Sequence, residues 1–195
     1  AVVINNLEFD HADIFGNLAE IQTAFRRLIN IVPRNGLLLV NGDDANLQPL
    51  LGIDHCPVRR FGFGSDCDEL ASQLMFSESS SEFRLGDTTF CIPMSGELNV
   101  RNAIAALLFA RYAGLSDDQI QSGFDTFEGI RRRMEIRGEE NGIMVIDDFA
   151  HHPTAVAVTL EALRLRFGQR RLWAVFEPRS ATSRRNIFQS DYADA

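Results

Sequence analysis

The stretch IMVIDDFAHHPTAV, residues 143–156, decides how the chain should fold. It opens with an apolar run that is typical of a strand buried in a sheet. Proline favours the first turn of a helix, so Pro153 predicts a helix from Thr154 to Phe167. Between the strand and the helix lie four polar side chains: Asp147, Asp148, His151 and His152. A strand that leads into a helix is the unit of an α/β domain, whose ligands bind at the carboxyl ends of the strands.

These four side chains fit two different roles. An aspartate here can cap the following turn, and His152 can simply pack against the helix. Alternatively, an aspartate can accept hydrogen bonds from both hydroxyls of a ribose, as acidic residues in nucleotide sites do. His151 would then stack on the base or hydrogen-bond to it. The stretch by itself leaves both roles open.

The residues on either side predict a complete α/β unit around this stretch. An Asn-Gly pair at residues 141–142 lies between two β-rich runs, which is one of the strongest hairpin signals. Downstream, the apolar segment RLWAVFEP, residues 171–178, is predicted to be another buried strand. Upstream, glycine and a run of charges in EGIRRR interrupt the pattern. We therefore predict a domain boundary that divides the chain into residues 1–127 and residues 128–195.

The first 127 residues also predict strands that alternate with helices. Two apolar β-rich runs, AVVIN and GLLLV, flank a helical spacing of apolar residues from Leu18 to Val32. A Gly-Asp pair at residues 86–87 predicts a hairpin. The alanine-rich segment NVRNAIAALLFARYAG predicts a long helix that stops at Gly114, and Ser116 predicts the cap of a shorter helix. The predicted fold class is therefore α/β in both parts.

Composition limits the partners that the chain can have. The 195 residues are 45% hydrophobic and carry a net charge of -8, which disfavours nucleic-acid binding. Every basic residue is an arginine, so chemistry that needs a lysine from this chain is excluded. The apolar runs are too short for a membrane span and no signal peptide is present, so we expect no membrane partner and a cytoplasmic location. The chain begins on a strand without methionine, and we interpret it as an internal piece of a longer protein.

Two more groups of polar side chains are candidates for a ligand site. Asp10, His11 and Asp13 lie within one turn of chain and could hold a divalent metal, although such a cluster also suits a simple polar loop. Asn99 and Asn102 lie three residues apart at the head of the long helix, where both can face one pocket. An asparagine amide matches the N6 and N7 edge of adenine, and helix capping is the alternative for Asn99.

Three consecutive arginines, Arg131, Arg132 and Arg133, follow the predicted boundary. On a strand their side chains would alternate, so one would point the opposite way from its neighbours. A guanidinium that faces a cleft can make bidentate contacts with phosphate groups. The alternative is a charged face that is simply solvated.

Five segments together resemble the Mur ligase family. They are NNLEFDHAD, GELNVRNAIAA, GIRRRMEIRG, DDFAHHPTAV and FEPRSATSRRN, and they span nearly the whole chain. The family consists of ATP-dependent enzymes that join amino acids or peptides to UDP-N-acetylmuramic acid in bacterial cell-wall metabolism. The double histidine resembles the branch that acts directly on UDP-N-acetylmuramate. Within that branch, FEPRS and RRMEIRGEENGI resemble the members that add the murein tripeptide in peptidoglycan recycling, with addition of L-alanine as the alternative.

The resemblance implies a partial central ATPase domain followed by the start of a Rossmann-like C-terminal domain. It implies ATP and Mg²⁺ as cofactors, and UDP-N-acetylmuramate and the tripeptide L-Ala-γ-D-Glu-meso-diaminopimelate as substrates. The family's phosphate-binding loop would lie upstream of these residues. We therefore expect this piece to be inactive by itself.

The family pattern also implies roles for individual residues. Nucleotide contacts are implied for Asn99, Asn102, Arg133, Asp148 and His151, with the asparagines at the adenine, the aspartate at the ribose and the arginine at the phosphates. His11 would bind magnesium, and His11 and Arg133 would be the catalytic residues. Arg179 and Ser180 would lie near the amine substrate. Several members of the family carry a carbamylated lysine where this chain has Arg26, a departure that fits the branch acting on UDP-N-acetylmuramate.

Two interpretations from other functional classes remain open at this point. The acids and histidines of DHAD and DDFAHH could form a metal-dependent hydrolase that needs no ATP. The chain could also belong to a noncatalytic nucleotide-binding module, which would bind ATP without any acyl-phosphate chemistry.

Overall fold

One six-stranded sheet forms the frame of residues 1–127, which we call the first lobe. The computed structural model describes residues 1–179, 182–184 and 186–194. In the sheet, the first four strands pair in parallel and the last three pair antiparallel. The strands, in their order across the sheet, are β1 (Val2–Ile4), β2 (Leu38–Asn41), β3 (Val58–Gly62), β4 (Glu69–Phe76), β5 (Ser81–Leu85) and β6 (Thr88–Ile92).

Two apolar clusters attach helices to this sheet. The helices of the first lobe are α1 (Leu18–Asn30), α2 (Glu97–Tyr112) and α3 (Asp117–Asp125). α1 buries Ile21 and Ile29 in a cluster with residues of β1 and β2. α2 buries Ile104 and Leu107 in a second cluster with residues of β3, β5 and β6. Because the apolar residues of a helix occupy one face, the face of α2 that carries Asn102 is left exposed.

In the described part of residues 128–194, which we call the second lobe, the structure has a hairpin and two helices. Its elements are β7 (Glu135–Glu140), β8 (Ile143–Asp147), α4 (Pro153–Phe167), a short 3₁₀ turn (Asn186–Phe188) and α5 (Gln189–Asp194). Asn141 and Gly142 have φ angles of 51° and 77°, the left-handed values that a two-residue hairpin turn requires. The predicted hairpin and the predicted helix start at Pro153 are confirmed, as is the α/β fold class.

Local signals placed most element ends in the first lobe correctly. α1 ends at Asn30, two residues before the predicted end at Val32. Gly114 follows α2 with a φ of 93°, a conformation that favours glycine. Ser116 caps α3, with its side chain accepting a hydrogen bond from the backbone N–H of Gln119. The hairpin predicted at residues 86–87 joins β5 to β6.

The predicted strand at residues 171–178 is wrong. This segment forms no regular structure, and Trp173 and Val175 are 76% and 94% exposed. A strand is held by hydrogen bonds to a neighbouring strand, and the sheet described in the second lobe contains only β7 and β8. The apolar pattern shows that the side chains favour a strand. A strand also needs a neighbouring strand for its backbone hydrogen bonds, and the pattern does not provide one.

The first sheet and the β7–β8 hairpin share no strand pairing. A division between residues 127 and 128 is compatible with this arrangement and stays a proposal. Among the described residues, no helix combines the length and the apolar character that crossing a bilayer would require.

Candidate functional site

Two loops from different lobes meet at the candidate site. The first loop, residues 5–12, follows β1, and the second loop, residues 148–152, follows β8. His152 joins them: its Nε2 lies 3.2 Å from the carbonyl oxygen of Phe9, and its Nδ1 lies 3.1 Å from a carboxylate oxygen of Glu8. The polar clusters that follow β1 and β8 in the sequence therefore belong to one site.

Residues near the C-terminal end of the second lobe strengthen this contact. The ring of Phe188 packs edge-on against the His152 imidazole, with 5.0 Å between the centroids. The hydroxyl oxygen of Thr182 accepts a hydrogen bond from the backbone N–H of Ala12 at 3.1 Å. The Tyr192 hydroxyl donates a hydrogen bond to the carbonyl oxygen of the residue before His152. The two loops are thus held together by polar and aromatic contacts.

The charges in this contact reinforce one another. The His152 imidazole lowers the pKa of Glu8 to about 2, although burial of the carboxyl opposes the shift. Contact with Glu8 raises the pKa of His152 above its usual value, again against burial. Burial acts to raise the pKa of Asp10, but hydrogen bonds from the His11 backbone and the Thr182 side chain outweigh it, so that pKa lies below its usual range. The first loop therefore presents ionised carboxylates to the second lobe at neutral pH.

His11 lies exposed in the first loop, in an unusual backbone conformation. Its φ of 54° is in the left-handed region, which costs free energy for a residue that carries a Cβ. Its carbonyl oxygen accepts hydrogen bonds from the backbone N–H groups of Ile14 and Phe15, at 2.8 Å and 2.9 Å. The loop therefore holds His11 in this conformation while its imidazole stays open to solvent.

The metal site considered for Asp10, His11 and Asp13 is not assembled. The Asp10 carboxylate turns back to accept a hydrogen bond from the His11 backbone, and its other oxygen lies 3.7 Å from Nε2 of His151. No three histidine, cysteine or acidic side chains of the described ranges converge on a common point. His11 can therefore offer one ligand to a magnesium ion, whose other ligands would be phosphate oxygens and water. Such a division is common for magnesium bound with a nucleotide.

Asn99 and Asn102 sit in the first turns of α2, and each has one half of its amide engaged. The side-chain NH₂ of Asn99 donates to the carbonyl oxygen of Ser95 at 2.8 Å. The helix is capped at Gly96, so the capping role considered for Asn99 is wrong. The side-chain oxygen of Asn102 accepts a hydrogen bond from the amide of Asn5 in the first loop. Asn99 keeps an acceptor and Asn102 keeps a donor, which is the pair of functions that the N6 and N7 edge of adenine needs.

The three arginines do not lie on a strand, so the predicted alternation of their side chains is wrong. They occupy a turn before β7, and Arg132 has a φ of 59°. Arg132 lies 3.6 Å from the Asp147 carboxylate and stacks over the Phe149 ring at 4.8 Å. The Arg133 guanidinium lies 5.9 Å from the same ring, and no carboxylate of the described chain pairs with it. Of Arg132 and Arg133, Arg133 is therefore the one whose guanidinium can bind an incoming anion.

Asp148 organises the second loop from within. Its two carboxylate oxygens accept hydrogen bonds from the backbone N–H groups of Met134 and Ala150, at 2.8 Å and 2.7 Å. The Thr159 hydroxyl lies 3.5 Å away. The oxygen that accepts from Met134 can accept a second hydrogen bond, so this capping role leaves capacity for a ribose hydroxyl. The two roles considered for the aspartate are therefore compatible in one residue.

Replacing Asp148 with alanine should lower the free energy of unfolding by about 1–3 kcal/mol, because two N–H groups in a half-buried loop lose a charged acceptor. Urea denaturation of the full-length protein would measure the change. Asp147→Ala is the matched control, because Asp147 forms an exposed ion pair with Arg132. Such a pair is worth about 0–1 kcal/mol. Equal losses in the two variants would contradict the capping role.

The remaining predicted residues are less closely tied to the site. The His151 ring lies 5.2 Å from the Phe149 ring, and its Nδ1 lies 3.1 Å from the Phe149 carbonyl oxygen, within the second loop. Its contact with a nucleotide stays a prediction. Arg179 pairs with Glu177 at 2.9 Å in an exposed segment, and its place near the amine substrate stays a prediction. Ser180 lies outside the described residues.

Sequence reasoning missed the residues that join the lobes. Glu8 was considered only as part of the polar segment NNLEFDHAD, and His152 was considered for packing against the helix that follows it. Glu8 and His152 come four and five residues after the ends of β1 and β8, so their place in the loops that follow these strands was the signal that could have found them. Asn5 could have been found in the same way, as the first polar residue after β1.

Two family sequence models cover most of the chain. The model described as the Mur ligase middle domain matches residues 1–110, and the model described as the Mur ligase, glutamate ligase domain matches residues 132–191. The first of these matches spans more than half of the chain and includes the first loop, with Asn99 and Asn102. The second includes the second loop, with Arg133.

Individual proteins with established names are similar over nearly the whole chain. The UDP-N-acetylmuramate–L-alanyl-gamma-D-glutamyl-meso-2,6-diaminoheptandioate ligase of Escherichia coli is 39% identical over 98% of this chain. The UDP-N-acetylmuramate–L-alanine ligase of Geobacter sp. (strain M21) is 34% identical over 96% of it. This chain spans 43% and 42% of the lengths of those two proteins. The crystal structure of a murein peptide ligase from Psychrobacter arcticus matches 98% of this chain and 40% of its own, with a TM-score of 0.68 and 34% identity.

Proposed function

The chain belongs to the Mur ligase family, and from that premise we propose that its full-length protein is an ATP-dependent ligase acting on UDP-N-acetylmuramate. It would form an amide between the muramate carboxylate and the amine of the tripeptide L-Ala-γ-D-Glu-meso-diaminopimelate. One observation carries the proposal: the first and second loops meet, so that residues suited to adenine, ribose and phosphate border one contact between lobes. The choice of tripeptide is supported by the 39% identity to the Escherichia coli ligase.

The geometry suits one ATP molecule lying between the lobes. Asn99 and Asn102 would share the adenine edge, one accepting from the exocyclic amine and the other donating to the ring nitrogen. Asp148 would accept from the ribose hydroxyls, and His151 would border the nucleotide. Arg133 would contact the phosphates through its unpaired guanidinium. Each of these groups keeps a hydrogen-bonding function that its contacts within the chain do not use.

The reaction would proceed in two steps. The muramate carboxylate attacks the γ-phosphorus of ATP, the bond to the β-phosphate oxygen breaks, and an acyl phosphate and ADP result. The peptide amine then attacks the activated carbonyl carbon and phosphate leaves, with the amine proton passing to a base. Because two anions meet in the first step, the chain's contribution is positive charge and positioning. Magnesium, when bound with ATP at His11, would neutralise phosphate charge.

Addition of L-alanine is the second candidate function. The Geobacter ligase that carries this name is 34% identical to the chain, close enough that similarity alone does not separate the two amines. A metal-dependent hydrolase is disfavoured, because the acids and histidines of the first loop do not assemble a ligand set in the part of the chain described. Because the proposed reaction consumes ATP, we place the protein in the bacterial cytoplasm.

A substrate panel on the full-length protein tests the proposal. Phosphate release would be measured with ATP and UDP-N-acetylmuramate, adding either the tripeptide or L-alanine, and with ATP omitted as the control. We expect ATP-dependent release that is faster with the tripeptide. Faster release with L-alanine would favour the second candidate, and nucleotide binding without release in any mixture would indicate a noncatalytic module.

A further inference from the structure

His152 lies between two oxygen atoms that can only accept hydrogen bonds. The carbonyl oxygen of Phe9 faces Nε2 at 3.2 Å, and the ionised carboxylate of Glu8 faces Nδ1 at 3.1 Å. The contact with Glu8 is an ion pair rather than a well-aligned hydrogen bond. A neutral imidazole would turn a lone pair towards one of these oxygens, so both contacts are favourable only when both ring nitrogens carry a proton.

Glu8 is itself held in place for this contact. Its other carboxylate oxygen accepts a hydrogen bond from the side-chain amide of Asn6 at 3.2 Å. The side chain of Thr154, in the first turn of α4, also acts to lower the pKa of Glu8. The carboxylate therefore receives contacts from both lobes, and Glu8 and His152 are 33% and 18% exposed. At that burial, the ion pair is screened less than one on the open surface.

We propose that Glu8 and His152 are positioning residues, whose ion pair holds the first loop against the second loop and so sets the spacing between the two halves of the nucleotide site. This inference rests on the proposed function and deepens it. Three residues after Glu8 comes His11, and four residues before His152 comes Asp148. Neither Glu8 nor His152 needs to touch the nucleotide for its loss to weaken binding, because each fixes the loop that carries a contact residue.

The pair should respond to pH in a definite direction. Glu8 has its pKa lowered from 4.5 to about 2, so its contribution is present above pH 4.5 and is lost as the pH falls towards 2. His152 has its pKa raised from 6.5, so its contribution is complete below pH 6.5 and is lost as the pH rises through the raised value. The pair is therefore strongest between those limits, from pH 4.5 to 6.5.

The other charged groups around His152 act in the same direction. Asp10 in the first loop also raises its pKa. Asp191 and Asp194 of α5 line the same surface cavity as His152 and contribute further negative charge. The neighbouring rings and hydroxyls, from Phe188, Thr154 and Tyr192, carry no charge at neutral pH. No cation faces His152 from these elements in the described chain, so protonation is opposed only by burial.

Hydrogen–deuterium exchange of the full-length protein tests whether the pair joins the lobes. At about pH 6, Glu8→Gln and His152→Gln should each speed amide exchange about tenfold in both loops, including the loop on the unsubstituted lobe. Glu139→Gln is the matched control, because it breaks an ion pair of the same 3.1 Å length, with Arg170, inside the second lobe. Faster exchange only in the loop that carries the substitution would overturn the proposal.

Kinetics on the same variants separate this inference from the proposed function. Each single variant should lower kcat/KM for ATP about tenfold. The double variant should have a kcat/KM no lower than that of the less active single variant, because the two residues act as one pair. Raising the pH to about 9 should bring the wild type towards His152→Gln. Full activity in both single variants would overturn the positioning role. A wild type without ligase activity would overturn the proposed function, while the exchange result would still decide whether the pair joins the lobes.

Discussion

Replacing Arg133 with alanine in the full-length protein should lower kcat for ATP-dependent ligation about 100-fold or more. The reaction brings a carboxylate to a phosphate that is already negative, so a cation next to the transferred group acts mainly in the transition state. The Arg133 guanidinium lies above the Phe149 ring in the second lobe, with no carboxylate of the described residues to neutralise it. Steady-state phosphate release with saturating ATP and tripeptide would measure the loss.

Arg131→Ala is the matched control for this prediction. It removes the same charge from the same turn, and in the part of the chain described it is Arg132 and Arg133, not Arg131, that lie over the Phe149 ring. We expect its kcat to change by no more than about twofold, because an exposed arginine away from the transferred phosphate contributes little. Equal losses for Arg131→Ala and Arg133→Ala would mean that the turn places a different guanidinium at the phosphates.

Signals within a few residues determined most of the fold correctly. The turn at Asn141 and Gly142, the stop at Gly114 and the cap at Ser116 each depend on a backbone conformation or hydrogen bond confined to one turn of chain. The failure at residues 171–178 has the opposite cause. Whether an apolar run becomes a strand depends on a neighbouring strand, and pattern within the run contains no information about that neighbour.

The candidate site was predictable in outline but not in its internal geometry. Strand ends pointed to the two loops, because ligands of α/β domains bind beside the loops that follow the carboxyl ends of strands. The role of Arg133 could not be derived from alternation, since the arginines lie in a turn that has no alternation. The Glu8–His152 pair joins residues 144 positions apart, and no local signal can predict a contact over such a separation. Contacts between lobes depend on how the whole chain packs.

The second large effect is expected when His11 is replaced by glycine, because the stability of the fold should be kept or increased while the activity falls. In His11→Gly, the free energy of unfolding should stay unchanged or rise by about 1 kcal/mol, because glycine adopts a φ of 54° without the cost that a Cβ imposes. At the same time, kcat/KM for ligation should fall about 100-fold, because the imidazole proposed to contact the magnesium ion is lost. Urea denaturation and steady-state phosphate release, measured on the same preparation, would give both values.

His11→Asn separates the backbone from the ligand in this prediction. Asparagine tolerates the left-handed region, and its carbonyl oxygen is a ligand that magnesium accepts. We therefore expect an intermediate loss of activity that higher Mg²⁺ concentrations partly restore, whereas the glycine variant should not recover. If His11→Gly instead loses stability together with activity, the imidazole holds the loop in place and the strained conformation has a structural origin. If it keeps full activity, the metal contact belongs to another residue, and the left-handed turn at His11 would then need a different explanation.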